Sequence, residues 1–195
     1  MTLKRGNLKP GDCVSMDQYT TRTLGRLTNK PGRGSSHHKY IGGTLFVDHA
    51  TGHIFVYHQV STRVGNTLMG KHAYEQYAKE NGIKLKSFHA DNWPFTAEEF
   101  VRDCELQDQT ITHSGVGAHH QNGVSERAIQ TVVSWALSML LHQTLHWPGQ
   151  FDESHWPFAL DHAVYLWNNL PKSSTGPSPN ELFTGCVSPN RIELL

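Results

Sequence analysis

Hydrophobic and polar positions along the chain fall into two periods. Residues 12 to 19 alternate loosely, with Cys13, Val14, Met16 and Tyr19 apolar, and predict a short first strand with Asp17 near its end. Tyr40 to Asp48 and His53 to Val60 are runs of β-branched and aromatic residues separated by His49-Ala50-Thr51-Gly52. They predict a hairpin with glycine at the turn, which Asp48 would begin because Asp tolerates turn geometry. From Asn66 to Asn81 the period changes: Leu68, Met69, Ala73, Tyr74, Tyr77 and Ala78 are spaced as on a helix, and Asn81-Gly82 is a stop. Ile83 to Ala90 reads as a fourth strand and Thr110 to His113 as a fifth. Between them Thr96 to Leu106 reads as a helix, with Thr96 as cap and Glu99 in the capping-box position. Val124 to His142 predicts a long helix whose inner face draws on Ile129, Val132, Val133, Ala136, Leu137, Leu140 and Leu141. A last helix runs from Trp156 to Leu170, with Pro157 tolerated in its first turn, and the prolines from Pro171 to Pro179 end regular structure.

Three hairpin-linked strands followed by alternating helices and strands describe an α/β fold, a mixed five-stranded sheet flanked by helices. At 195 residues the chain suits one domain: a polar lead-in over 1–10, a core over 11–170 and an extension of that core over 171–195. Residues 20 to 39, rich in Thr, Arg, Gly and Ser, read as a long exposed loop carrying Arg22, Arg26, Lys30, Arg33 and Lys39. That stretch is as compatible with a solvated loop as with contacts to a DNA backbone. Seventeen Lys+Arg balance seventeen Asp+Glu, so overall charge does not point to nucleic acid, and only a local basic surface remains open. Cys13, Cys104 and Cys186 lack metal-ligand spacing and fit a reducing compartment. No apolar run approaches the roughly 20 residues of a membrane span, so no membrane partner is expected.

The candidate chemistry lies in acidic residues at element ends. Ligands collect at the carboxyl ends of strands in open α/β sheets, which favours Asp91, directly after Ile83 to Ala90, with Asp17 on a neighbouring strand. Glu126 follows 35 positions after Asp91, within Gln121-Asn122-Gly123-Val124-Ser125-Glu126-Arg127 at the start of the long helix. Hard divalent cations take oxygen ligands, and two of them about 3.5–4 Å apart stabilise both the attacking and leaving oxygens of an in-line phosphoryl displacement.

Asp17, Asp91-Asn92, the segment Gln121 to Arg127, and the tail Pro177-Ser178-Pro179-Asn180-Glu181-Leu182-Phe183-Thr184-Gly185 together resemble the integrase catalytic core of long-terminal-repeat retrotransposons, of the copia type. The resemblance covers roughly residues 10 to 190. It implies a ribonuclease-H-like fold and an Asp, Asp, Glu triad formed by Asp17, Asp91 and Glu126, holding two Mg²⁺ or Mn²⁺ ions. It also implies two reactions on DNA: processing of the element's 3′ end, then strand transfer into a target. Asn92, Asn122, Arg127 and Gln130 would contact DNA, copies of the chain would associate, and the nucleus would be the place of action because the substrate is there. The chain departs from that pattern at Trp93-Pro94, where a glycine commonly follows Asp-Asn. The family's upstream zinc module and downstream DNA-binding tail do not occur within these residues.

Each residue has a plainer reading. Asp12 or Asp48 is an alternative to Asp17 as ligand, Asp91 is also a turn former, and Glu126 complements the positive end of its helix in either case. His113, His119 and His120 flank a glycine-rich loop but have no cysteine partners for zinc. Trp147, Trp156 and Trp167 read as core rather than as a base-stacking platform. The alternative to an enzyme is a catalytically inactive, retroelement-derived domain that retains DNA affinity. A nuclease acting on RNA in hybrids is disfavoured by the Gln121 to Arg127 segment.

Overall fold

The computed structural model describes residues 8–28, 39–90, 93–113, 123–173 and 176–187. Five strands, β1 (Val14–Gly25), β2 (Tyr40–Asp48), β3 (Ile54–Gln59), β4 (Ser87–Ala90) and β5 (Thr110–His113), form one sheet in the order β3-β2-β1-β4-β5. The first three pair antiparallel, and β4 joins β1 and β5 in parallel. Parallel pairing requires a crossover, supplied by α1 (Val64–Glu80) and α2 (Glu98–Leu106). Strand alternation then divides the core. Val14, Met16, Phe46, Phe88 and Ala90 face α1, α2 and the short α5 (Pro179–Thr184). Leu45, Val47 and Ile54 face α3 (Gly123–His146) and α4 (Trp156–Asn169).

The expected mixed sheet is present, with differences at element ends. β1 runs six residues past Tyr19 into the expected loop, because threonine suits a pleated strand and Gly42-Gly43 of β2 lets the backbones close. A Cβ on Gly42 would lie 2.1 Å from the Tyr19 carbonyl oxygen. Neither Thr96 nor a capping box starts α2. Its cap is Ala97, whose amide donates to the Pro94 carbonyl, and Glu98 and Glu99 complement the exposed amides of the first turn. Regular structure also resumes after Pro177: Ser178 Oγ accepts from the Glu181 amide at 3.2 Å and the Glu181 carboxylate accepts from the Ser178 amide at 2.8 Å. This closed capping box, with Pro179 in its first turn, starts α5 and sets Phe183 against the core.

On α3, Ala128, Val132 and Ala136 at four-residue spacing take the sheet side. Leu137 and Leu141, expected inside, are exposed together with Leu145, because the helix carries apolar residues around more of its girth than one face of contact can cover. Trp156 and Trp167 pack against the core as expected, whereas Trp147, just beyond α3, is exposed.

Candidate active site

Asp17 is the fourth residue of the twelve-residue β1, not near its end as the shorter expected strand implied. It pairs with Leu45 of β2. Directly paired residues share a sheet face, so Asp17 stands with Leu45 and Tyr19 on the side covered by α3 and α4. The last residue pair between β1 and β4 is Met16 with Ala90. Both chains therefore continue from that rung into an aspartate, Asp17 on β1 and, after β4, Asp91. Asp91 and Asn92 themselves lie outside the described residues, as do Asn122, Lys30, Arg33, His119 and His120.

The two other aspartates near β1 have structural partners. Asp48 is fully buried and accepts from the Gly11 amide at 2.8 Å, the Thr51 amide at 2.9 Å and the Thr51 hydroxyl at 2.8 Å. It holds the hairpin turn, as its sequence suggested. Asp12 accepts from the Lys9 amide at 2.8 Å and pairs with Lys86 at 2.7 Å, and the Lys86 contact leads in holding its carboxyl below the usual range.

Glu126 occupies the first turn of α3 and is half-buried. Three and seven residues on, along the same side of the helix, Ile129 and Val133 are partly buried against the cluster containing Leu45, the partner of Asp17. Glu126 therefore stands at the edge of the layer between the sheet and α3, on the sheet face that carries Asp17. Arg127 is exposed, with its Nε donating to the Gly123 carbonyl at 2.9 Å, and Gln130 is exposed one turn further along. His113 is exposed at the end of β5. Trp93 is exposed, and the Trp93–Pro94 peptide bond is cis.

A partly buried relay not anticipated from sequence braces this layer. Tyr19 Oη and His58 Nδ1 are 2.6 Å apart, and His58 Nε2 lies 2.9 Å from Asp161 Oδ1. An ionised carboxylate only accepts, so Nε2 faces Asp161 as a donor. Burial, then the Asp161 charge, pushes the Tyr19 hydroxyl far above its ordinary pKa and keeps it protonated. The relay ties β1, two residues beyond Asp17, to β3 and α4. Asp161 gave no sequence signal, because its role depends on a partner 103 positions away.

The donor set fits a hard divalent cation, since Asp17, Asp91 and Glu126 offer only carboxylate oxygens. Among the described residues no cluster of three or more His, Cys, Asp or Glu is close enough to hold a metal. With Asp91 outside that set, two of the three expected ligands are in view. All three cysteines are free, and among the described residues no helix is long and apolar enough to cross a membrane.

No family model matches the chain. Over 141 residues, 70% of its length, it is 30% identical to the retrovirus-related Pol polyprotein from transposon RE1 of Arabidopsis thaliana, and it spans only 9% of that polyprotein. Among solved structures, the HTLV-2 integrase catalytic core domain in complex with magnesium, in a dimeric form, superposes with a TM-score of 0.62 at 17% identity, over 90% of this chain and 98% of that one. The simian T-cell lymphotropic virus intasome in complex with PP2A regulatory subunit B56 gamma gives 0.69 at 15% identity, over 100% of this chain and 61% of that one. The shared sheet, three antiparallel strands and then parallel ones, is that of the ribonuclease-H-like integrase core. The chain is therefore related to the Pol polyproteins of copia-type retrotransposons and has the fold of an integrase catalytic core.

Proposed function

We propose that this chain processes DNA 3′ ends and joins them to target DNA, with Asp17, Asp91 and Glu126 holding two Mg²⁺ or Mn²⁺ ions. The observation that carries this reading is the shared layer of Asp17 and Glu126, together with the β1–β4 register that leads into Asp17 and Asp91 from one rung. The magnesium in the related HTLV-2 core lends support to the cation. When bound, the cations would lower the pKa of the attacking hydroxyl and neutralise charge at phosphorus. The three carboxylates would fix those cations relative to the DNA, forming no covalent bond themselves. In processing, water forms a bond to phosphorus as the bond to the 3′ oxygen breaks, and the departing oxygen takes a proton. In joining, the freed 3′ oxygen loses its proton and attacks a target phosphodiester, whose own 3′ oxygen leaves. Arg127 and Gln130, exposed beside Glu126, would hold the DNA backbone, with Asn92 and Asn122 as further contacts. The reading extends to self-association, for which the exposed row Leu137, Leu141 and Leu145 offers an apolar surface, and to action in the nucleus.

The test is strand transfer with Mn²⁺ between a labelled end bearing a free 3′ hydroxyl and a target duplex. Joined product from the unaltered chain, lost at least about a hundredfold in Glu126→Gln and Asp17→Asn, is expected. Equal inertness of all three proteins, with DNA binding retained, would replace this reading by that of an inactive DNA-binding domain.

A further inference from the structure

No Lys or Arg occurs between Arg127 and Lys172, a stretch that holds Asp152, Glu153 and Asp161 together with His142, His146, His155 and His162. Two of these histidines meet at the C-terminal end of α3. His142 and His146 are four residues apart and so share one side of the helix, and their ring centres lie 4.1 Å apart. We infer that this pair is a binding site for a divalent cation of the Zn²⁺, Cu²⁺ or Ni²⁺ class, separate from the carboxylates at the other end of the helix. Glu126 precedes His142 by sixteen residues, about 24 Å along the helix axis.

Three observations carry the inference. The first is chelate geometry. Imidazole nitrogens bind Zn²⁺ at about 2.0–2.1 Å, so two of them on one ion at the tetrahedral angle stand about 3.3 Å apart. Rings with centres 4.1 Å apart reach that spacing by turning about their own side-chain bonds, without any change in the backbone. The second is availability. Both rings are exposed, and neither makes a hydrogen bond or ion pair among the described residues, so no internal partner competes with an ion for their nitrogens. The third is the local field. The carbonyl groups of the last turn give the end of α3 a partial negative charge that favours a cation, and His146 stands in that turn. Imidazole suits Zn²⁺, Cu²⁺ and Ni²⁺, whereas Mg²⁺ and Mn²⁺ prefer oxygen, so ligand type alone would sort ions between the two ends of the helix. With two protein ligands and solvent in the remaining positions, the pair binds more weakly than a closed four-ligand zinc centre.

A reporter is built in: the Trp147 ring centre lies 6.2 Å from that of His142 and 5.9 Å from that of His146. The experiment titrates Cu²⁺ and Zn²⁺ into the whole chain in excess Mg²⁺, reading affinity by calorimetry and location by the quenching of tryptophan fluorescence by bound Cu²⁺. Saturable binding is expected, tighter for Cu²⁺ than for Zn²⁺, with part of the quenching removed in Trp147→Phe. Affinity should fall at least about tenfold in His142→Gln and in His146→Gln, since losing even a group that supports a metal ligand costs that much. It should be unchanged in Glu126→Gln and in His162→Gln. His162 is the control, exposed on α4 and stacked on Tyr165 with no second histidine one turn away. Circular dichroism of each variant verifies that the fold is kept. Affinity unaltered in both the His142 and His146 variants would overturn the inference. So would binding lost only in Glu126→Gln, which would put the ion on the carboxylates instead.

Discussion

The two faces of the sheet solve opposite problems. Toward α1, α2 and α5 the layer is closed: Tyr74, Phe46, Phe55, Tyr77 and Phe183 stack in series around His53, with ring centres between 4.4 and 6.3 Å. The cation on this side, Lys71, is fully buried and spoken for, by Glu75 at 2.5 Å, Asp103 at 2.6 Å and the Phe88 ring at 5.4 Å. Toward α3 and α4 more of the apolar residues are only partly buried, and the same layer admits Asp17, Glu126 and the Tyr19–His58–Asp161 relay. Charge on the first face is neutralised inside the fold. The second face holds Asp17 and Glu126 only part-buried, at its margin, where a substrate can meet them.

If that contrast is right, breaking the closed face should cost stability and leave the chemistry of the other face in place. The largest effect is expected from Lys71→Met, which takes from Glu75 and Asp103 the ammonium they share and leaves them only Gln109 and the exposed His72 as partners. Glu75 and Asp103 each keep about a fifth of their side-chain surface in water, which places the loss at the lower end for a broken buried pair, about 3 kcal/mol in urea unfolding. A loss below about 1 kcal/mol would mean that water already screens the pair and that this face is not closed.

A smaller, pH-dependent effect is expected at His53, which stacks between Tyr77 and Phe183. Burial drives its pKa down to about 3 from the ordinary 6.5. Between those values the unfolded chain carries a proton that the folded chain does not, so stability falls as pH drops through 6.5 and stops falling near 3. The slope should approach about 1.4 kcal/mol per pH unit within the window. His53→Phe preserves the stack and should remove that part of the slope, while an acid-unfolding profile unchanged by the substitution would show that His53 reaches water before the fold opens.

How far the sequence revealed each face follows from the range of the interactions involved. Alternation and helical spacing are local, so β2 and β5 lie where the pattern put them, and α1, α3 and α4 differ from expectation only at their ends. The full length of β1 was hidden because its threonines look like loop until Gly42 and Gly43 supply a partner edge. The start of α5 was masked by flanking prolines, although Ser178 and Glu181 have capping-box spacing. At the site, Asp17, Glu126 and Arg127 were visible as parts of motifs. His58 and Asp161 were not, since each matters only through residues distant in sequence.

The central claim is that Asp17 and Glu126, with Asp91, form one cation site on the open face. Mn²⁺ titration followed by its electron paramagnetic resonance tests this without requiring turnover. The account predicts saturable binding by the unaltered chain, weakened at least about tenfold in each of Asp17→Asn, Asp91→Asn and Glu126→Gln, with Lys71→Met, tested under conditions where it stays folded, retaining the unaltered affinity. Binding that survives all three carboxylate substitutions would contradict it.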